Sequence, residues 1–202
     1  MTRPPTGYRG KRLLDLALTA FALPIVLPIG AACAIAIRLT SPGPIVFTQL
    51  RTGRDGTRFR MYKFRTMVQD AEVLKAGLRN QSVLPPPDFK IPNDPRITRV
   101  GRFLRRTSLD ELPQLLNVIK GEMSLVGPRP TSFEPSTYRS WHTERLEVMP
   151  GVSGLWQVRA RHGSTFDQRL RLDIAYVRHM SLALDLQILW WTFASVFRGT
   201  GA

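Results

Sequence analysis

The sequence predicts a mainly helical α+β chain, held to a membrane by its N-terminal segment and carrying one small β-hairpin. Three observations predict it. Residues 16–37 are apolar except for Thr19, a run of about 20 residues and so long enough to cross a bilayer. Short apolar runs at 45–49 and 59–64 are separated by a turn containing Gly53 and Gly56, the pattern of a hairpin. Helix-period segments dominate the rest, with amphipathic or interfacial helices toward the C-terminus.

The membrane segment carries its own topological information. Arg3, Arg9, Lys11 and Arg12 precede the apolar run, and Arg38, Arg51, Arg54, Arg58 and Arg60 follow it. Basic flanks stay in the cytoplasm, so this chain asks for both ends on that side. Pro24 and Pro28 each remove a helical hydrogen bond and crowd the preceding turn. Asp15, near the entrance, requires a partner or an interfacial position. A re-entrant helix-break-helix, broken at Pro24, Leu27 and Pro28, satisfies all of these and is expected over a spanning helix. The run is too long for a cleavable signal. Residues 1–40 are thus expected to form the basic flank and membrane segment, and 41–202 a cytoplasmic domain.

The domain is predicted element by element. The hairpin loop carries Arg51, Arg54 and Arg58, and Lys63 and Arg65 alternate with Tyr62 and Phe64, so one face is basic and the other apolar. A helix is expected over 68–79, and a loop over 84–88, where Pro85, Pro86 and Pro87 forbid regular structure. A second helix over 111–119 opens near Pro113 and stops at Gly121. Gly127-Pro128-Arg129-Pro130 reads as a stiff turn holding an arginine outward, and local sequence alone makes that a solvated loop charge. Residues 151–158 read as a glycine-punctuated loop leading into a short strand, followed by helices over 166–177 and 184–197. Trp190 and Trp191 suit a headgroup-level belt or core packing equally well.

A net charge of +14 and a pI near 11.2 imply a polyanionic partner: nucleic acid, anionic phospholipid or a phosphorylated substrate. The single cysteine, Cys33, excludes a disulfide framework, and three scattered histidines (His142, His162, His179) argue against zinc. The basic side chains are mostly arginine, which favours bidentate phosphate contacts.

Behind the arginines at 96, 99, 102, 105 and 106 stand two adjacent carboxylates, Asp110 and Glu111. Nearby positive charge is expected to keep such a carboxylate ionised, able to attack phosphorus or to hold a divalent metal. Ser108-Leu109-Asp110-Glu111 also fits an S-x-x-E capping box, and the two readings are compatible, because a helix start stabilises phosphates too.

Taken in order, these pieces resemble the monotopic phosphoglycosyl transferases, the bacterial sugar transferase family. The resemblance runs from Lys11-Arg12-Leu13-Leu14-Asp15 through Ser41-Pro42-Gly43-Pro44, Tyr62-Lys63-Phe64-Arg65-Thr66-Met67 and Asp94-Pro95-Arg96-Ile97-Thr98. It continues through Ser108 to Gln114, then residues 121–130 and 150–158, and so covers nearly the whole chain. It implies transfer of a phospho-sugar from a UDP-sugar to undecaprenyl phosphate, releasing UMP, through a covalent aspartyl phospho-sugar and with Mg²⁺, at the cytoplasmic face of the bacterial inner membrane. It implies that Asp110 is the nucleophile and lies close to the metal, with Glu111 orienting the site or taking the acceptor's proton. Lys63, Arg65, Arg105 and Arg129 are the implied phosphate or nucleotide contacts, followed by Arg96, Trp156 and Gln157. Where the family often has Ser-Pro at the membrane break, this chain has Leu27-Pro28, with Pro24 in addition. The chain resembles the family's minimal catalytic type, and a homodimer stays open. No nucleic-acid partner is expected: a membrane-tethered nucleic-acid-binding module would suit the charge, but its motifs are missing. A two-carboxylate glycosidase is disfavoured because adjacent helical residues point about 100° apart.

Overall fold

The computed structural model describes residues 7–83, 91–160 and 164–197; the loop expected at 84–88 lies outside them. Over the described residues the chain is mainly helical, with two small two-stranded sheets and one long apolar N-terminal helix. That helix, α1 (Lys11–Thr40), is long and apolar enough to cross a membrane. It runs on through Pro24 and Pro28, so the expected break is corrected to a continuous helix with both prolines inside it. The prolines stand four residues apart, so their lost N–H groups fall on one side of the helix and the rest of the ladder persists.

The hairpin is as expected in kind. Strand β1 (Val46–Thr52) pairs antiparallel with β2 (Arg58–Phe64), from Val46 opposite Phe64 to Thr52 opposite Arg58. Arg51 and Arg58 therefore lie in the strands and not in the loop. Helix α2 (Ala71–Gly77) is shorter than the predicted helix, and α3 (Arg99–Thr107) follows, capped by Thr98, whose hydroxyl accepts from Gly101 N at 2.9 Å. Helix α4 (Gln114–Lys120) begins after Pro113 and ends at Gly121 in the left-handed region, as its stop signal predicted. Strand β3 (Ser124–Val126) pairs in parallel with β4 (Gly151–Ser153). Residues after β4 turn directly into α5 (Leu155–Arg159), so the expected order of loop then strand is corrected to strand then helix. Helices α6 (Phe166–His179) and α7 (Leu182–Phe197) complete the chain.

Three apolar clusters hold these pieces. Cys33 and Ile37 of α1 pack with Phe64 and Leu104; Phe59 and Met61 pack with Val118 and Met123; Val126, Tyr176 and Ile188 form the third. Trp191 packs against this third cluster and beneath Arg159, whereas Trp190 is exposed, so the two tryptophans divide between core and surface. A buried amide stitches α4 to β2: Asn117 donates to Arg60 O at 2.7 Å and accepts from Tyr62 N at 3.1 Å.

Gly101 looks like a weakness inside α3 until its surroundings are considered. A Cβ there would lie 2.0 Å from the Thr66 carbonyl oxygen, so only glycine lets α3 seat against the chain leaving β2. Gly101→Ala is expected to cost about 3 kcal/mol, the upper part of the overpacking range, because the obstacle is backbone and cannot rotate away. Thermal unfolding of the variant checks this.

Candidate active site

The dyad sits in a short turn, not in a helix. Helix α3 ends at Thr107, and Ser108 takes a left-handed conformation (φ 58°) with its N–H bonded to the Arg105 and Leu104 carbonyls. A single 3-10 turn over Leu109–Glu111 follows. The Ser108 side chain makes no cap hydrogen bond, so the capping-box reading of Ser108 to Glu111 is corrected, as is the helix expected from 111. Leu109 and Leu112 pack into the Cys33–Leu104 cluster and anchor this turn.

The two carboxylates meet different surroundings. Glu111 is clamped by two cations: Lys63 Nζ donates to Oε1 at 2.7 Å, and Arg129 donates through Nη2 to Oε1 at 2.5 Å and through Nη1 to Oε2 at 3.3 Å. Burial pushes Glu111 up, but Arg129 and Lys63 together outweigh it and hold the carboxyl well below the usual range. Asp110 is buried, and among the described residues it takes no hydrogen bond or ion pair. Burial raises its pKa and the Glu111 charge adds to this, against Lys63, Arg105 and Arg129. The basic neighbourhood therefore does not dominate, contrary to the expectation from sequence. Of the arginine cluster only Arg105 acts on Asp110, and Arg96 is paired with Asp94 instead.

Arg129, expected as a solvated loop charge on local sequence alone, faces inward. Its carbonyl accepts a hydrogen bond from Arg145, which is itself paired with Asp173 at 2.6 Å, both side chains 2% exposed. Arg105 is held by Thr66, Nε to Oγ1 at 2.9 Å, and lies within the electrostatic reach of Asp110. Arg51 lies in the same field: burial, then Arg129 and Arg58, push its guanidinium down to about 10. The result is a buried unpaired carboxylate beside a charge-compensated one, ringed by Lys63, Arg105, Arg129 and Arg51. Such a cluster is suited to a phosphorylated substrate.

Comparison with known proteins agrees with this chemistry. Residues 7–199 match the model of the family described as bacterial sugar transferase. The chain belongs to the bacterial sugar transferase family. Among its relatives, the galactosyl transferase CpsE of Streptococcus agalactiae serotype III (strain NEM316) is 43% identical over 194 residues, covering 95% of this chain and 43% of the relative. The UDP-glucose:undecaprenyl-phosphate glucose-1-phosphate transferase of Escherichia coli (strain K12) is 38% identical, covering 94% of this chain and 40% of the relative. The chain spans about two-fifths of the length of these relatives. It spans 90% of the exopolysaccharide production protein ExoY of Rhizobium meliloti (strain 1021), at 37% identity over 98% of this chain.

In this bacterial sugar transferase not every residue implied by the resemblance gathers at the dyad. Arg65 turns to the end of α1, where Nη2 donates to Ser41 O at 2.7 Å and to Ser41 Oγ at 2.8 Å. Arg96 is buried in a two-pronged pair with Asp94, at 2.9 and 2.7 Å, and donates to Ala71 O at 3.1 Å, so these partners are structural. Trp156 lies beneath Arg169, and Gln157 donates to Val152 O at 3.3 Å. Neither Trp156 nor Gln157 has a described contact with Asp110 or Glu111.

Sequence reasoning passed over Arg51, Arg145, Asp173, Asn117 and Thr66. Asp173 did carry a signal: it shares the buried face of α6 with Leu170, Ile174 and Val177, and a carboxylate on such a face requires a partner. For Mg²⁺, no group of three His, Cys, Asp or Glu side chains stands ready among the described residues. Mg²⁺ commonly binds through one or two carboxylates plus substrate phosphates, and the unpaired Asp110 fits that mode.

Proposed function

We propose that the chain transfers a sugar 1-phosphate from a UDP-sugar to undecaprenyl phosphate, releasing UMP, at the cytoplasmic face of the bacterial inner membrane. This starts a lipid-linked glycan. The observation that carries the reading is the asymmetry of the dyad: Glu111 is neutralised by Lys63 and Arg129, whereas Asp110 is buried and unpaired. Relatives whose names specify transfer of glucose 1-phosphate to undecaprenyl phosphate, or an undecaprenyl-phosphate galactose phosphotransferase from Salmonella typhimurium (48% identical over 165 residues), support the substrate classes.

In the first step an Asp110 carboxylate oxygen attacks the sugar-bearing phosphorus. The bond from that phosphorus to the UMP oxygen breaks, and UMP leaves with the electron pair. In the second step an oxygen of the lipid phosphate attacks the same phosphorus and Asp110 departs as a free carboxylate. Lys63, Arg105 and Arg129 reduce the repulsion between anions in both steps. Asp110 would hold Mg²⁺ together with the substrate phosphates, and the ion would offset charge on the leaving UMP. Glu111 keeps Lys63 and Arg129 in place, which is orientation and not proton transfer: a carboxyl held so far below its usual range is a poor base.

A membrane segment that enters and leaves on one face, through a bent but unbroken α1, belongs to the same reading, with residues 1–40 as the membrane segment and 41–202 as the catalytic domain. Both ends of α1 contact the same body. Near the start, Lys11 bonds Val126 O and Asp185, Arg12 bonds Val118 O and Ile119 O, and Asp15 accepts from Leu125 N. Near the finish, Cys33 and Ile37 pack with Phe64 and Leu104. Exposed Phe21, Ile25 and Leu27 occupy the stretch between these two contacts, so the apolar surface left for lipid is the middle of the segment and its two ends stay with the domain.

The test is UMP release from a panel of UDP-sugars with undecaprenyl phosphate and Mg²⁺ in detergent. Release is expected with at least one sugar, dependent on both the phosphorylated lipid and the metal. No release across the panel, under conditions where an active relative turns over, would overturn the proposal.

A further inference from the structure

We propose that Arg65 and Arg38 form a second anion site at the C-terminal end of α1, apart from the dyad, which takes the phosphate of a membrane lipid. The inference rests on the membrane placement of α1 given above, but not on the transfer chemistry.

Arg65 is 7% exposed, and only one of its three nitrogens is used. Nη2 serves Ser41, while Nε and Nη1 are buried without a hydrogen-bond partner among the described residues. Leaving two donors of a charged group unmet is costly, and native structures rarely do so without a reason. The charge that acts on this guanidinium is a second cation, Arg38, and among the described residues no carboxylate compensates it. Arg65 is one of the implied substrate contacts that the fold directs away from Asp110, so the dyad does not account for it.

The loop after α1 is shaped around this arginine. Gly43 has φ +108°, and a Cβ there would stand 2.4 Å from Arg65 Nη1. The glycine therefore leaves room for Nη1, one of the two unpartnered nitrogens. A capping role at the end of α1 explains Nη2, which donates to the Ser41 carbonyl, but leaves Nε and Nη1 unexplained. The α1 terminus also meets its own needs, since Thr40 Oγ1 donates to Ala36 O at 2.6 Å and Ser41 Oγ to Ile37 O at 3.3 Å.

The level of the site selects the ligand. Arg38 is exposed and follows directly on the apolar helix, and Leu39 beside it is 80% exposed. Cations at that point lie where lipid phosphates lie. An unmet guanidinium N–H offers a phosphate oxygen a charge-assisted hydrogen bond, and the second cation adds charge. The phosphate can belong to the polyprenyl-phosphate acceptor or to an anionic phospholipid, and the two are separable by experiment.

The full chain in neutral detergent, without UDP-sugar, is titrated with undecaprenyl phosphate or with phosphatidylglycerol. Undecaprenol and phosphatidylcholine serve as uncharged or zwitterionic controls. Binding is read as the rise in unfolding midpoint with lipid concentration. Arg38→Gln changes an exposed side chain and leaves folding intact, so it carries the test even where Arg65→Gln does not fold. Wild type is expected to bind the anionic lipids, and Arg38→Gln to bind them about tenfold more weakly. Arg65→Lys keeps the charge but loses the Nε and Nη1 donors, and is expected to weaken binding similarly. Weakening confined to undecaprenyl phosphate assigns the acceptor, and weakening confined to phosphatidylglycerol assigns a structural headgroup. Unchanged affinity for both lipids in Arg38→Gln and Arg65→Lys, or equal binding of the controls, overturns the site. Because no UDP-sugar is present, a failed transfer assay leaves this result readable.

Discussion

In Asp110→Asn, UMP release is expected to fall by on the order of 10⁴-fold or more, while the unfolding midpoint stays level or rises. Asparagine keeps the shape of the side chain but has no carboxylate oxygen to attack phosphorus. Stability does not suffer, because Asp110 has no described hydrogen bond or ion pair to lose and burial already disfavours its charge. The neighbouring substitution Glu111→Gln is expected to give the opposite signature. It removes the charge that Lys63 meets at 2.7 Å and Arg129 at 2.5 Å, leaving two cations facing a neutral amide. The clamp is partly exposed, so the cost is about 1–3 kcal/mol, below that of a fully buried pair. Activity falls too, by less than in Asp110→Asn, because Lys63 and Arg129 are loosened but the nucleophile survives. Thermal unfolding and UMP release on the two variants separate these outcomes. Full activity in Asp110→Asn would remove Asp110 from the chemistry. Equal destabilisation by both changes would mean that Asp110 has structural partners after all.

What the sequence made legible follows from the range of the interactions. The hairpin was visible because period-2 alternation is a local property, and its register follows from the turn. The dyad was visible because its two members are adjacent. Its clamp was not: Lys63 lies 48 residues from Glu111 and Arg129 lies 18 away, and no local pattern marks those distances. Arg96 was misread because arginines that cluster along a chain need not share a face, and this one is satisfied by Asp94 two residues away. Ser108 was misread as a cap because S-x-x-E carries no record of φ, and the serine in fact closes the preceding helix. At Pro24 and Pro28 the rule that proline breaks helices gave way, since an apolar segment without competing hydrogen-bond partners retains what remains of its ladder. Gly43 and Gly101 show the converse case. Each is a plain glycine in sequence, and each proves to be a close approach that positions an arginine or a helix.

Asp173→Asn is expected to destabilise the fold by about 3–5 kcal/mol and to lower transfer as well, although Asp173 has no described contact with the dyad. The reason begins with burial. Arg145 and Asp173 are each 2% exposed and 2.6 Å apart, and burial pushes the Asp173 carboxyl up to about 6 despite its partner. An ion pair in such a place is expensive to form, so it contributes little net stability, yet it is costly to halve because Arg145 is then buried without a counter-charge. Arg145 also donates to the Arg129 carbonyl, and so fixes the turn from which Arg129 reaches Glu111. This separates two effects that a single substitution confounds. The double replacement Arg145→Met with Asp173→Leu is expected to recover most of the lost stability, since apolar residues of similar size remove both charges together. It is not expected to recover activity, because the Arg129 carbonyl has still lost its donor. The Arg145–Asp173 pair is thus a positioning device: its worth lies in the placement of Arg129, and restored stability with unrestored turnover is the result that would identify it. Turnover that returned together with stability would instead reduce the pair to a packing element.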